Sequence, residues 1–578
     1  MSNLSPADSG PRAVVTLWLV AIYVLVVFGG IDRPFTTDEI YYAGWASGIS
    51  ETFTPEYYVG EIREAWGRNL IEPLSHPPGH FMALAGMIKV FGLHYWSLRA
   101  LGVVLFASAM LFLALVIARR FEWSWERILF IATFCVLNPL FMREHLALAI
   151  EGQALWFPLL VFFYFFYLDV EAVREQSPKI PFVKSSLLLV LLFAIKETSI
   201  PIYVSACVAY LVVLRQTRAL VLFGISLLVA AGVFWSLWAS YCYVFDLDVW
   251  SWLRFTVLNK MAPVTASRRI TPLAIFDGIR LTTLWLSFPF IAFVFAAGWR
   301  LIAPRVQQKR FSLVAIGDET RFMLLLVLYL ASVVFFAKIL RPGSFLKYEN
   351  PGHFVLAIVL AWVVSRRALL SPRTVAWTLS IGVPLGALAA YFGEDRLLDY
   401  TNVYLYQMVA QSLVTAVVVL VAIGIWKGKR TTIFATLVGL TAFFNSWLFV
   451  EQTAGYTTSV SWYNYGDNAQ AAIDWLSKRL EPDDTLAAFK DIQFNMRFVE
   501  GFDRLNTYEV RLFTREPVIP GGHELLASGK IRWLQVGPFA PLGKARSVVE
   551  RHFDSVYSQG PFEIYRFRSS SGVGASTP

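Results

Sequence analysis

The sequence predicts an α-helical polytopic membrane protein of about thirteen transmembrane helices, followed by a small C-terminal α/β domain on the extracytoplasmic side. Three observations lead there. The 578 residues are 56% hydrophobic and only 16% charged, and mean hydropathy is +0.54; soluble chains carry roughly 25% charged residues. Apolar runs of about 17–25 residues, each long enough to cross a bilayer core, recur as far as residue 450. From 451 the runs stop and an ordinary globular sequence begins.

Taken in order, the expected spans lie near 13–31, 95–118, 127–142, 146–168, 185–199, 200–214, 219–242, 281–299, 322–337, 353–365, 374–392, 405–426 and 431–450. The first has a single charge, Arg12, ahead of it and no small-residue cleavage site after it, so it reads as an uncleaved signal anchor. With the N-terminus inside, Arg119/Arg120, Arg215/Arg218, Arg300/Arg305/Lys309/Arg310, Arg366/Arg367 and Lys427/Lys429/Arg430 all fall in cytosolic loops. The formal charge of +9 is therefore topological, and no basic stripe of nucleic-acid type is present. Cys135, Cys207 and Cys242 sit inside apolar runs at spacings that suit neither zinc nor a disulfide framework, so they read as buried, inert thiols.

Residues 32–94 form the first long outer loop, rich in Glu, Tyr, Trp and Pro. Its segments 38–51 and 56–70 are patterned as amphipathic helices lying in the membrane interface. Further outer loops are expected at about 243–280, 338–352 and 393–404. In the C-terminal domain, Asp467 opens a helix to about 480, and strands are expected at Leu486–Phe489, Ile531–Val536 and Phe562–Phe567. A helix near 543–552 precedes the last strand, and the Ser/Gly-rich end from 569 has the composition of a disordered tail.

Three groups of residues can carry chemistry. Thr37-Asp38-Glu39 places two carboxylates where the chain has just left the first span. A carboxylate there can take a proton from an attacking hydroxyl or amine; the competing reading is a helix start. Glu72-Pro73-Leu74-Ser75-His76-Pro77-Pro78-Gly79-His80 is rigid through its prolines. Glu72 and His76 could take a divalent ion or His76 could bond a phosphate; the alternative is a stiff re-entry turn. Arg143, Lys196, Arg341, Lys347 and Tyr348, with Arg268/Arg269, mark outer span ends. Cations gathered at one membrane face suit a lipid-linked phosphate, although each alone also reads as a snorkelling or paired residue. All seven histidines fall on the outer side in this topology.

At this point the chain resembles the GT-C glycosyltransferases that use polyprenyl-phosphate sugars, in particular the protein O-mannosyltransferases and the bacterial lipid A aminoarabinose transferases. The resemblance rests on Asp38-Glu39 after span one, His76-Pro77-Pro78, Leu98-Arg99-Ala100 leading to Arg119-Arg120, Phe193-Ala194-Ile195-Lys196, and Lys347-Tyr348 with Pro351, in that order. It implies a GT-C fold with its site on the outer face, the periplasm in a bacterial inner membrane, and an inverting transfer of a hexosyl or pentosyl group. Asp38 would be the base, Glu39 would hold geometry or acceptor, and Lys196, Arg341, Lys347, Tyr348 and Arg143 would hold the donor phosphate. The partners implied are a polyprenyl-phosphate sugar, a lipid, glycan or protein acceptor and membrane lipids, with no nucleic acid; the one cofactor left open is a divalent metal ion. Two departures, Leu74 where mannosyltransferases often carry an acid and Gly79 where Leu is common, bear against a metal and a protein acceptor. The reading from a different class is a transporter or flippase of lipid-linked saccharides, which also needs outward cations. Against it, the repeated halves such proteins usually carry are not visible here.

Overall fold

The computed structural model describes scattered residues between 16 and 35 and then, with short gaps, residues 38–53, 77–137, 141–177, 181–250, 317–336, 350–365 and 465–568. The expected spans at 281–299, 374–392, 405–426 and 431–450, the segment 56–70 and the tail from 569 lie outside the described residues. Among the described residues three helices are long and apolar enough to cross a membrane: Tyr95–Arg120, Gly152–Arg174 and Thr217–Val244.

The helices run in chain order as follows. Helix α1 is Asp38–Thr52, α2 Gly79–Phe91 and α3 Tyr95–Phe112, which continues through a π turn (Leu113–Ile117) into Ala118–Arg120. After α4 (Trp125–Leu137), a second π turn (Ile150–Leu155) leads directly into α5 (Trp156–Arg174). Then come α6 (Val183–Ile195), α7 (Ile200–Val213), α8 (Thr217–Val244), α9 (Asp318–Val334) and α10 (Asn350–Ser365). The C-terminal part follows as α11 (Tyr465–Ser477), β1 (Thr485–Ala488), α12 (Lys490–Met496), β2 (Asn506–Glu509), α13 (Arg511–Thr514), α14 (Gly522–Ala527), β3 (Trp533–Val536), α15 (Arg546–His552), β4 (Phe553–Gln559) and β5 (Phe562–Phe567).

These elements form two compact units, and parts of the first loop fall in the second of them. One unit holds residues from 75–83 and 99–454; the other joins described parts of 32–74 and 84–98 to the C-terminal domain. Of the first loop, residues 38–53 and 84–94 thus belong with the globular domain, and residues 77–83 with the helix bundle.

In the bundle, the helix ends expected to be cytosolic are tied by charge. Arg321, at the start of α9, grips Glu171 of α5 with both arms, Nε to Oε1 at 2.8 Å and Nη2 to Oε2 at 3.0 Å, and Arg174 reaches the same carboxylate at 2.9 Å. Arg120 meets Asp318 at 3.0 Å, while Glu319 accepts from Trp123 Nε1 at 2.8 Å and from Arg127. Bidentate pairs of this kind fix direction as well as distance. The ends of α3, α5 and α9 are therefore on one side, as the alternation of spans requires. Cys135, Cys207 and Cys242 are buried and form no disulfide, as expected.

Three expectations change. The loop 32–94 contains the apolar helix α2, because Pro78 opens a helix rather than extending the chain: its carbonyl accepts from Met82 N at 2.7 Å, and a proline at a helix start loses no needed hydrogen bond. Helix α1 is not an interfacial helix with one wet face. Ile40, Tyr42, Ala43, Trp45, Ala46 and Ile49 are all buried, and with them Glu39 and Ser50, so only its last turn is exposed. The expected span 146–168 starts instead with the π turn at Ile150 and runs to Arg174. The two short spans at 185–214 exist as α6 and α7, bent 118° from one another.

The C-terminal domain is a five-stranded sheet in the order β2-β1-β3-β5-β4, parallel across β2-β1-β3 and antiparallel across β3-β5-β4. Apolar side chains cover both faces, Leu512, Phe513, Leu534 and Val549 on one and Ile473, Leu476, Leu486 and Trp533 on the other. Asp484, 4% exposed, organises the turn into β1 by accepting from Trp533 Nε1 (2.9 Å), Arg532 Nη1 (3.1 Å) and Glu481 N (3.0 Å). The helix expected from Asp467 and the strands expected at 486, 531 and 562 are α11, β1, β3 and β5.

Candidate active site

Lys196 sits where two helices fail to join. Helix α6 ends with the Lys196 N–H donating to Leu192 O at 2.9 Å, and Lys196 itself is extended at φ −160°, ψ 102°. Glu197–Ser199 then make a single 3₁₀ turn before α7. Pro201 in the first turn of α7 explains the break, since a proline there cannot donate back to residue 197 and its ring excludes a continuous helix. The Lys196 side chain is only 1% exposed. A buried ammonium is tolerated only against opposing charge, and adjacent Glu197 is close enough to act electrostatically on Tyr203 as well. The break thus holds a buried cation where two helices fail to join, and a cation so placed suits an anion.

The start of α2 packs against this break. A Cβ at Gly79 would lie 2.5 Å from Ala194 O and 3.2 Å from Ile195 N, so the start of α2 abuts the last turn of α6. Only glycine permits that approach, which gives a physical reason for Gly79 where Leu is common in the resembling family. The next residue, His80, is fully buried and its Nε2 shares a 2.9 Å hydrogen bond with Gln153 Oε1. Gln153 lies on the π turn before α5, and such turns recur at functional sites because they re-aim side chains.

A second buried histidine belongs to the same bundle. His145 Nε2 lies 2.9 Å from the Tyr23 hydroxyl, and its ring stacks on Phe141 at 5.8 Å. Trp156 and Phe354 close the aromatic wall at 4.6 Å. His353, beside Phe354, is 2% exposed. Arg99, also 2% exposed, donates to Ile31 O at 3.3 Å and so holds the end of the first span.

The acidic pair lies in the other compact unit. Helix α1 begins at Asp38, which puts Asp38 and Glu39 in its first turn, where the helix dipole favours negative charge. That is the geometry of the helix-start reading. Glu39, however, is 3% exposed, and a surface cap has no need to bury a carboxylate against its desolvation cost.

Of the residues singled out in the sequence, the structure places Asp38, Glu39 and Lys196. Glu72, His76, Arg143, Arg268, Arg269, Arg341, Lys347 and Tyr348 lie outside the described residues. Among the described residues no group of three or more His, Cys, Asp or Glu is arranged for a metal ion, and His80 is engaged with Gln153. The sequence reading missed Gln153 and the His145–Tyr23 pair. A glutamine within an apolar run was the available signal, because amides at membrane depth are kept for a reason.

Neither a protein-family profile nor a curated protein sequence matches the chain. Two solved structures share its fold over nearly the whole length. One is ArnT from Cupriavidus metallidurans bound to undecaprenyl phosphate, at TM-score 0.62 and 16% identity, covering 96% of this chain and 98% of that one. The other is the same protein in the apo state, at TM-score 0.58 and 16% identity, covering 97% and 98%. The chain therefore shares the fold of ArnT.

Proposed function

We propose that the protein is a membrane glycosyltransferase that moves a sugar from a polyprenyl-phosphate carrier to an acceptor, with inversion, at the outer face of a bacterial inner membrane. The observation that carries this reading is the buried Lys196 at a helix break, in a chain that shares its fold end to end with a protein crystallised with undecaprenyl phosphate.

The chemistry follows from the residues. The acceptor's hydroxyl or amine gives its proton to the Asp38 carboxylate as its lone pair attacks the anomeric carbon. The bond from that carbon to the phosphate oxygen breaks on the opposite face, and the electron pair leaves with polyprenyl phosphate. A phosphate leaves without a proton, so no general acid is needed; what matters is stabilising its growing charge. Lys196 supplies that, with Arg143, Arg341, Lys347 and Tyr348 as further phosphate contacts. Glu39 orients the acceptor or the base. The acceptor is a glycolipid, a polysaccharide or a protein, and the sugar a hexose or pentose. No step is routed through a metal; Glu72 with His76 is where one would be sought.

The test is release of free polyprenyl phosphate by the purified protein from a panel of radiolabelled polyprenyl-phosphate sugars, with membrane extract as acceptor, with and without EDTA. One sugar should support release, Asp38→Asn should abolish it while still binding donor, and Lys196→Met should raise the donor KM about tenfold or more, the cost of a lost charge-assisted contact. Full activity in Asp38→Asn removes the catalytic assignment. No release from any donor shifts the weight to a transporter of lipid-linked saccharides.

A further inference from the structure

The C-terminal domain has no part in that chemistry, yet it holds the helix that carries the acidic pair. The backbone of Phe35 is clasped on both sides by one side chain from α12: Phe35 N–H donates to Asn495 Oδ1 at 3.0 Å, and Asn495 Nδ2 donates to Phe35 O at 2.7 Å. Tyr95 donates its hydroxyl to the same Oδ1 at 3.1 Å. Phe35 is fully buried and Asn495 2% exposed. The Phe35 ring is locked edge-on against Tyr95 at 5.0 Å and Phe498 at 5.6 Å, and Tyr95 stacks on Phe498 at 4.2 Å.

A second grip falls just beyond the pair. Tyr41 is hydrogen-bonded to Arg511, which is itself fixed by Glu509 at 2.9 Å and lies over the Phe489 ring at 5.1 Å. Residues 35 and 41 bracket Asp38 and Glu39 in the chain. Both grips come from the C-terminal domain, at a sequence distance of 460 residues for the first. An asparagine amide that satisfies both the N–H and the C=O of one buried residue leaves that residue almost no freedom to shift or rotate. Held in this way, the backbone at the start of α1 is fixed before substrate arrives, so no ordering cost falls on each turnover, which is the physical basis of preorganised catalysis.

We propose that Asn495, seconded by Arg511, is a positioning residue for Asp38 and Glu39, and that the C-terminal domain serves as the jig that holds this pair. The proposal rests on the glycosyltransferase reading above. Its test uses the full-length protein in detergent with Asn495→Ala and Arg511→Met, read in two independent ways. Hydrogen exchange should speed up in α1 while the strands β1, β3 and β5 keep their protection. Single-turnover transfer should slow about tenfold to a hundredfold, the range a misplacement near 1 Å produces, with donor stoichiometry unchanged and donor Kd within about twofold of wild type. Wild-type transfer rates in a variant whose α1 exchanges freely overturn the positioning role. Loss of strand protection, or of donor-binding stoichiometry, overturns it in favour of a plain folding role. Absence of transfer by the wild-type chain itself refutes the underlying reading instead, and the exchange arm still decides whether Asn495 anchors α1.

Discussion

Replacing Gly79 by alanine should disturb the Lys196 break by a route that geometry specifies. The added Cβ would stand 2.5 Å from Ala194 O and 2.8 Å from Ala194 C, where contacts below 3.0 Å are essentially never seen. Both opposing atoms are backbone, so no side chain can swing aside, and about 0.5 Å must come from moving the first turn of α2 or the last turn of α6. Overpacking of this kind typically costs about 1–3 kcal/mol. Gly86, on the same helix, supplies the control: nothing lies within 4 Å of its added Cβ, so Gly86→Ala should gain up to about 1 kcal/mol from helix propensity. Thermal unfolding of both variants in one detergent measures the difference, expected at about 1–4 kcal/mol when the clash and the propensity gain are combined. Donor binding should weaken only in Gly79→Ala, since the displaced turn ends one residue before Lys196. If the two variants melt together and bind donor alike, α2 and α6 are not in the close contact described, and the account of Gly79 fails.

Other expectations follow from the same geometry. Arg321→Met should destabilise the bundle by about 1–3 kcal/mol, because it removes two charge-assisted hydrogen bonds and leaves the buried Glu171 carboxylate to Arg174 alone; a thermal scan showing no loss would mean that the ion pair is idle. Asp484→Asn turns an acceptor of three hydrogen bonds into a group with one acceptor oxygen, at a cost of about 1–3 kcal/mol. Near-ultraviolet circular dichroism, which sees Trp533 directly, would follow that loss.

Legibility in the sequence varied with the range of the forces involved. Tyr95–Arg120 and Thr217–Val244 each contain an apolar stretch long enough to cross a membrane, and hydropathy alone marks them. The globular strands β1, β3 and β5 were equally plain, since each carries buried apolar residues bounded by turn formers. By contrast β2 buries only Thr507, a polar residue, and β4 is exposed over most of its length, so neither offers an apolar pattern to detect. Helix α2 was hidden by the prolines before it, which read as extended chain until their place at a helix start is seen. Of the site, the acidic pair and Lys196 were visible because charge next to apolar runs is conspicuous. His80 with Gln153 and Phe35 with Asn495 were not, because no local pattern records which distant amide a histidine or a backbone will find.

The π turn at Leu113–Ile117 has a consequence for how this chain tolerates change in length. Such a turn holds one residue more than the α-helix around it, so all that follows is offset in phase by about 100°, the rotation of a single α-helical residue. Arg120 faces Asp318, and Trp123 faces Glu319, only after that offset. A one-residue deletion within 113–117 would leave a smoother and intrinsically better helix, yet would swing both partners away from α9. The extra residue acts as a phase shim, so this stretch should accept substitution among apolar residues far more readily than it accepts loss of even one.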